Sequence, residues 1–513
     1  LISKVLIEKN SYYDSVTLMS LSGNIKNEDG VVQAVVSMAT DMNKDLLKNI
    51  GLLTEDAKNA SENDLIIAIE AQTDEAAEQV ILKVKEQLDS KKESNKNSEE
   101  KIASSSAEAF KIMEDANLAV ISVRGDYAAR EAKKALKNGL HVMIFSDNVT
   151  VEEEKELKEL GREKGLLVMG PDCGTSIINQ AGLCFSNKVS PGKIGLVAAS
   201  GTGLQEVAVQ IDKLGYGISQ AIGVGGRDLS AEIGGIMMLE SLNALDNDAE
   251  TEVIVLISKP PAPSVEEKIL NRIKEASKPV IVCFLDGNAQ EAEKTGATFA
   301  RTLKGAAIEA VRKLETSENT ADIKSDASEW ILEQKKKISD SQKYIRGLFC
   351  GGTLTSESLM ILREHNLSVK SNVAKKEHEK LKNISVSHGH VLIDMGDDQF
   401  TVGKPHPMIE PSLRNERIMQ EAQDAETAVL LLDFELGYGS HDNPVGVTYD
   451  TLVKAKEAAK TNGRFLPIVA YVLGTYNDKQ NYYEQVKMLE NLDIYVADSN
   501  EEAAEIAAKL VTE

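Results

Sequence analysis

Aromatic side chains make up only 4% of this 513-residue chain, with a single tryptophan, so its cores must be built from Val, Ile, Leu, Ala and Met. Cysteine is as scarce. Cys173, Cys184, Cys283 and Cys350 form no C-x-x-C pair, which argues against a disulfide framework or a zinc site and fits reduced thiols in a cytosolic protein. No apolar run approaches the roughly 20 residues of a membrane helix, and no signal peptide is recognisable, so a cytoplasmic protein is expected. The chain opens on Leu1 rather than Met, and a few native residues are expected to be missing ahead of it. Long runs of one charge sign are absent, yet the formal net charge is -23. That field opposes nucleic-acid phosphates and anionic membranes, and neither partner is expected. A small anionic substrate stays open, because a helix N-terminus or a few cations can outweigh the average field.

A chain of this length is too long for one core, and three or four domains are expected. Residues 1–88 read as a small α+β domain, with strands at Ser15–Leu21 and Leu65–Glu70 and a helix at Ala76–Leu88. Residues 89–111 are rich in Ser, Lys, Glu and Asn and read as a solvated linker. Residues 112–190 alternate strands (Leu118–Val123, His141–Phe145, Leu166–Met169) with helices, ending in the turn Gly170-Pro171-Asp172-Cys173-Gly174-Thr175. Residues 191–315 repeat the alternation with strands at Ile194–Ala199, Ile218–Val224, Val253–Ser258 and Val280–Leu285. Such alternation implies right-handed crossovers and a largely parallel sheet. Residues 316–342 read as a second linker. Residues 343–513 form a last α/β unit, with strands at Tyr344–Cys350, Val391–Met395, Ala428–Phe434, Leu466–Val472 and Ile494–Val496 and a closing helix at Asn500–Leu510. The fold class is α/β.

Four glycine turns carry the chemistry. Ser200-Gly201-Thr202-Gly203 follows an apolar strand and opens a helix with Leu204, Val207, Ile211 and Leu214 on one face; Thr202 and Gln205 have capping-box spacing. Glycines there free the backbone N–H groups to point at an anion, and the helix end adds partial positive charge. An ordinary ligand-free βα turn has the same composition. Gly225-Gly226-Arg227 is a second turn, where the arginine could grip a carboxylate or phosphate in a fork or lie idle on the surface. Gly351-Gly352-Thr353 and Gly437-Tyr438-Gly439 follow apolar strands in the last unit, at the sheet edge where open α/β sheets bind ligands. None is a P-loop or a full G-x-G-x-x-G.

In Gly403-Lys404-Pro405-His406-Pro407 two prolines stiffen the chain around His406, which would serve as a proton-transfer group or anion contact, with Arg414 nearby in sequence, or as an exposed loop histidine. His388-Gly389-His390 and Asp394, Asp397 and Asp398 read as a solvated loop and a polar turn rather than metal sites; no metal is assigned.

At these turns the sequence resembles the succinyl-CoA synthetase family. Gly170-Pro171-Asp172-Cys173 resembles the G-P-N-C of its α subunit, Pro191-Gly192-Lys193-Ile194-Gly195 running into Ser200-Gly201-Thr202 its P-G-K-x-G…S-G-T, and Gly223-Val224-Gly225-Gly226 its G-I-G-G. The last unit is similar to the carboxyl-terminal domain of the β subunit. Within this group the chain is identified as a member of the FdrA family by Phe145–Thr150, Gly165–Ser176 and Val402–Ile409, and the resemblance runs from about residue 14 to the end. It implies that 112–190 is a Rossmann-like domain of the CoA-binding type, and that 191–315 and 343–513 are flavodoxin-like CoA-ligase domains.

The resemblance further implies that phosphate lies between Ser200, Gly201, Thr202 and Gly203 on one side and Gly437, Tyr438 and Gly439 on the other. Three departures alter the chemistry. No histidine occurs between His141 and His365, the span holding the ligase's phosphohistidine. Lys259 stands near the ligase glutamate that supports it. No stretch is long enough for an ATP-grasp domain, and the glycine fingerprint of the ligase's CoA-binding domain is missing. Phosphate is therefore expected as substrate or product, no cofactor is expected of this chain alone, and CoA is held doubtful.

The resemblance implies a subunit of a carbamoyltransferase that converts oxalurate and phosphate to oxamate and carbamoyl phosphate in anaerobic allantoin breakdown. Separate partner subunits and a homo-oligomer are expected. Arg227 is the candidate for the substrate carboxylate, His406 and more weakly His441 for proton transfer, and Gly225, Gly226, Asp172, Gly351, Gly352, Thr353 and Arg414 for substrate binding. An acyl-CoA synthetase subunit and a non-catalytic scaffold are the rival expectations.

Overall fold

The computed structural model describes every residue except 14, 27, 29, 97–102, 104, 316–326, 402, 403 and 513. They form two compact units, Leu1–Ala103 and Ser104–Glu513, and both are α/β in character.

The first unit is a three-stranded antiparallel sheet, β1 (Ile2–Glu8), β2 (Val31–Met38) and β3 (Leu65–Ala71), in the order β1-β3-β2. The central β3 is buried on both faces, as its run L-I-I-A-I demands. One face is covered by two helices, Ser15–Lys26 through Leu18, Leu21 and Ile25 and Asp74–Lys96 through Ala77, Val80, Val84 and Leu88. Ser15–Leu21 is therefore helix, not the expected strand. Its Val-Thr start favours β structure, but the three- and four-residue spacing of Leu18, Leu21 and Ile25 puts them on one helical face that the sheet buries. The second helix continues past Leu88 to Lys96, because a polar segment extends a helix anchored by the apolar face before it. The rest of that expected linker lies partly outside the described residues.

The second unit holds three sheets. β4 (Leu118–Ile121), β5 (His141–Ile144) and β6 (Val168–Met169) are parallel. A seven-stranded sheet runs β13-β12-β11-β9-β10-β7-β8. It comprises β7 (Thr175–Ile178), β8 (Ala181–Cys184), β9 (Pro191–Ala198), β10 (Ile218–Gly223), β11 (Val253–Ser258), β12 (Val280–Phe284) and β13 (Thr298–Phe299). Its core is parallel, while the hairpin β7–β8 adds antiparallel to β10 and so carries chain from before residue 190 into this sheet. The last sheet is parallel, β15-β16-β14-β17-β18-β19, from β14 (Tyr344–Phe349), β15 (Val369–Ser371), β16 (His390–Asp394), β17 (Thr427–Glu435), β18 (Ile468–Leu473) and β19 (Tyr495–Ala497). Within the expected second linker, a helix at Ser328–Lys335 buries Ile331 against the core.

The two larger sheets share one core. It runs from Ile194, Leu196 and Val255 through Leu204, Val207 and Ile211 of helix Gly201–Lys213 and Leu354 and Ile361 of helix Gly352–Glu364 to Leu431 and Val469. Two fully buried carboxylates occupy this seam at matching depths of the two helices. Glu206 accepts from Tyr471 and, at 3.2 Å, from Gln210. Glu357 accepts from the Leu303 N–H and Asn500 Nδ2, each at 2.7 Å. Burial, with Glu206 nearby, pushes Glu357 up to about 8. The native state therefore keeps a proton that the unfolded chain releases near pH ~4.5, and the stability Glu357 contributes is complete below that pH and lost as pH rises towards about 8. Urea midpoints should fall across this window, and Glu357→Gln, which cannot ionise, should flatten the fall by on the order of a few kcal/mol. An unchanged slope would show that Glu357 is ionised in the native state.

Candidate functional site

The C-terminal ends of β9, β11, β14 and β16 supply the residues of one cleft, the edge where parallel sheets leave helix N-termini and loop side chains free. Helix Gly201–Lys213 is capped by Ser200, whose Oγ accepts from the Gly203 N–H at 3.0 Å. The cap is thus Ser200 and not Thr202, because β9 ends early enough for Ser200 to remain extended. Helix Gly352–Glu364 is capped by Gly351.

The two N-termini meet. A Cβ on Gly203 would lie 3.0 Å from the Thr353 methyl, and one on Gly351 would lie 2.9 Å from Thr202 Cγ2. The Ser200 and Thr353 hydroxyls are hydrogen-bonded to each other. Each mouth therefore seats the other's threonine on a glycine. Among the described residues, the N–H groups of Gly201, Thr202, Gly352, Thr353 and Leu354 have no acceptor. Five such donors at two helix N-termini form an anion site by geometry and by dipole.

The second wall is therefore Gly351-Gly352-Thr353, and the expected phosphate cradle at Gly437, Tyr438 and Gly439 is corrected. No helix follows that turn directly; the next starts at Pro444. The Gly437 N–H is taken by Gln480 Oε1 at 3.0 Å and the Tyr438 N–H by the Ser186 carbonyl at 2.8 Å. Its glycines serve close packing, since a Cβ on Gly437 would stand 2.5 Å from the Ser186 carbonyl oxygen.

Arg414 is also corrected. It is buried, with Nε 3.2 Å from the Leu348 carbonyl, one terminal nitrogen 3.1 Å from Cys350 Sγ and the other 3.1 Å from Asp433 Oδ1. Asp433 in turn accepts from the Cys350 N–H (2.8 Å) and the Gly351 N–H (3.0 Å). Arg414 thus positions the helix mouth through Asp433 and has no route to a substrate. Cys350, Asp433 and Glu435 cluster within metal-ligand reach, but the guanidinium already supplies their cation.

Arg227 offers no free fork. Its Nε lies 2.9 Å from Glu154 Oε2 and a terminal nitrogen 2.7 Å from the Val149 carbonyl. It stands at the cleft rim, 43% exposed. Asp172 is solvent-accessible, yet protein on most sides, with Asp398 and Asp147, pushes it up to about 6 against the pull of Arg227 and Lys259. Gly225 lets its turn cross Pro171, whose carbonyl oxygen would be 2.4 Å from an added Cβ, whereas Gly226 faces open space. His406 lies beside Gly396, and burial pushes its imidazole down to about 4. Its Nδ1 accepts from the Met408 N–H at 3.2 Å, so the proton of the neutral ring sits on Nε2. Gly403 of the same motif lies outside the described residues. The ring of His441 accepts from the Asn443 N–H at 3.0 Å, and no hydrogen bond ties it to the helix mouths among the described residues.

Two side chains at the mouth escaped assignment from sequence. A Cβ on Gly352 would lie 2.4 Å from Asp394 Oδ2 and 3.4 Å from Lys259 Nζ. Each is a lone charge directly after an apolar strand, the one sequence signal that could have marked them.

Three family models match: a CoA-ligase model over residues 348–510, a CoA binding domain over 189–287, and one described as AllF, heavy metal-associated domain, over 2–104. The chain is 47% identical over 508 residues to the uncharacterized protein YahF of Escherichia coli, covering 99% of this chain and 98% of that one. It is 31% identical over 171 residues to subunit alpha 2 of a succinate–CoA ligase [ADP-forming] of Archaeoglobus fulgidus, covering 33% of this chain and 58% of that one. Among solved structures, ATP citrate lyase from Methanothrix soehngenii in complex with citrate and coenzyme A is similar at 15% identity and a TM-score of 0.35, covering 62% of this chain and 55% of that one.

The chain therefore carries CoA-ligase and CoA-binding domains, and the doubt placed on CoA is overturned. The CoA-binding match starts at residue 189, beyond the stretch where the missing glycine fingerprint was sought. A heavy-metal site does not fit residues 2–104, which contain no cysteine or histidine, the donors such metals select.

If the interlocked mouths hold an anion, Gly203→Ala should cost ~1–3 kcal/mol of stability and weaken sulfate binding about tenfold by calorimetry. Gly226→Ala should change neither. Sulfate affinity untouched by Gly203→Ala would remove the site.

Proposed function

The chain belongs to the FdrA/AllF family of succinyl-CoA synthetase-like proteins, and from that premise we propose that it is a subunit of a phosphate-dependent carbamoyltransferase, converting oxalurate and phosphate to oxamate and carbamoyl phosphate. The observation that supports this most is the pair of interlocked helix mouths with five unpartnered N–H groups in a chain without histidine between His141 and His365. A mouth that no phosphohistidine serves suits free phosphate.

Phosphate held between the two N-termini would attack the carbamoyl carbon of oxalurate. The C–O bond forms as the C–N bond to the oxamate amide breaks, and the proton of hydrogenphosphate balances the one the departing nitrogen gains. Backbone N–H groups fixed in advance stabilise the oxyanion of the tetrahedral transition state. Separate partner subunits would complete the enzyme.

A second reading, an acyl-CoA synthetase subunit, is favoured by the CoA-ligase and CoA-binding matches. It requires a nucleotide-binding partner, and CoA binding is expected in either case.

With its partner subunits the chain should form carbamoyl phosphate from oxalurate and phosphate, coupled to ATP formation for detection. Phosphate-independent turnover, or acyl-CoA formation with no carbamoyl phosphate, would overturn the carbamoyl reading in favour of the second.

A further inference from the structure

We propose that Asp394 is the acid that protonates the departing amide nitrogen, and that Lys259 is the cation that fixes the phosphate beside it at the mouth of helix Gly352–Glu364. This rests on the carbamoyl-transfer reading.

The two residues reach the same point from different sheets. Lys259 follows β11 and Asp394 ends β16, and both charged ends lie over the first residue of the helix, Gly352. Asp394 is only 7% exposed and held firmly: Oδ1 accepts from the Gly396 N–H at 2.9 Å, and its backbone N–H and carbonyl are both bound by the Asn372 amide at 2.9 Å. Oδ2 is the oxygen turned to Gly352 and has no hydrogen-bond partner among the described residues. The opening is thus bordered by an acid with one oxygen uncommitted, an ammonium and five free N–H donors.

The surroundings suit a proton donor near neutrality. Burial pushes Asp394 up to about 7; Lys259 opposes that shift, while Asp397 and Asp433 reinforce it. Asp433 is itself bound to Arg414. Lys375, close to Lys259, donates to the Pro260 carbonyl at 2.9 Å, and Asp172 shares the field of Lys259. His406 borders Gly396 and is a neutral ring at that pH, so it can donate a hydrogen bond but is no match for Asp394 as an acid.

In the step, a phosphate oxygen bonds to the carbamoyl carbon, the C–N bond breaks, and its electron pair takes the Asp394 proton. The carboxylate formed recovers a proton from the phosphate, so no net proton is exchanged with solvent.

The test uses the full chain and sodium sulfate, an anion whose charge does not change near neutral pH. By calorimetry the wild type should bind sulfate about tenfold more weakly at pH ~8 than at pH ~6, as Asp394 gains its charge. Asp394→Asn should abolish that fall. Lys259→Gln should weaken binding throughout and move the fall to higher pH, since the ammonium holds the carboxyl down. A fall that survives in Asp394→Asn, or one unmoved in Lys259→Gln, overturns the pair. In the assembled enzyme, Asp394→Asn should lower kcat by about 100-fold with little change in the KM for phosphate. Transfer at wild-type kcat overturns the acid role while the carbamoyl reading stands. Absence of transfer in the wild type overturns that reading, and the sulfate profiles still decide whether the pair governs the anion site.

Discussion

The site depends on bringing two helix N-termini into contact. Like dipole ends repel, and each leaves backbone N–H groups without an intrahelical partner. The chain offsets this in two ways. Sterically, Gly203 and Gly351 remove the Cβ atoms that would hold the mouths apart, so that Thr353 and Thr202 close the gap. Electrostatically, Asp433 takes the Cys350 and Gly351 N–H groups and is held in turn by Arg414. The N–H groups nearest the other helix have no protein acceptor, so an anion placed there gains from both dipoles at once.

This arrangement explains how a chain with net charge -23 can still receive an anion. Lys259, Lys375 and Arg227 gather at the strand ends around the cleft, while most of the acidic excess lies elsewhere on the surface. Acids that do enter the cleft, Asp172 and Asp394, are pushed up by their surroundings, which lowers their repulsion towards an anion. Local field and average field thus have opposite signs.

Much of the α/β frame was legible because buried parallel strands are uninterrupted apolar runs: β11 reads V-I-V-L-I-S and lies where composition put it. The helix at Ser15–Lys26 was not, since its β-branched start conflicts with a spacing that only the covering sheet makes decisive. The hairpin β7–β8 is too short and mixed to stand out. At the site, Ser200–Gly203 was recognisable, but a glycine turn after an apolar strand looks alike at 351–353 and 437–439. What separates them is where their N–H groups go: at 437–439 they are used up by Gln480 and Ser186. A Gly-Thr at the first two helical positions is common to both true mouths, Gly201-Thr202 and Gly352-Thr353, and is a signal composition alone does not weigh. Arg414 was misread for the converse reason, because its sequence neighbourhood gives no hint that three nitrogens are spent on the protein itself.

Two acid–cation pairs border the same helix mouth, and their difference separates framework from chemistry. In Arg414–Asp433 nearly every donor and acceptor is satisfied, both groups are buried, and removing either would strand a charge at a cost of several kcal/mol, on the order of 3–5. Such a pair can fix geometry but cannot exchange a proton without loss. In Lys259–Asp394 one carboxylate oxygen is anchored by Gly396 and the other faces the mouth. A group held on one side and open on the other keeps its position while its charge changes, which is the requirement on an acid that must act on a bound anion and be reset by it.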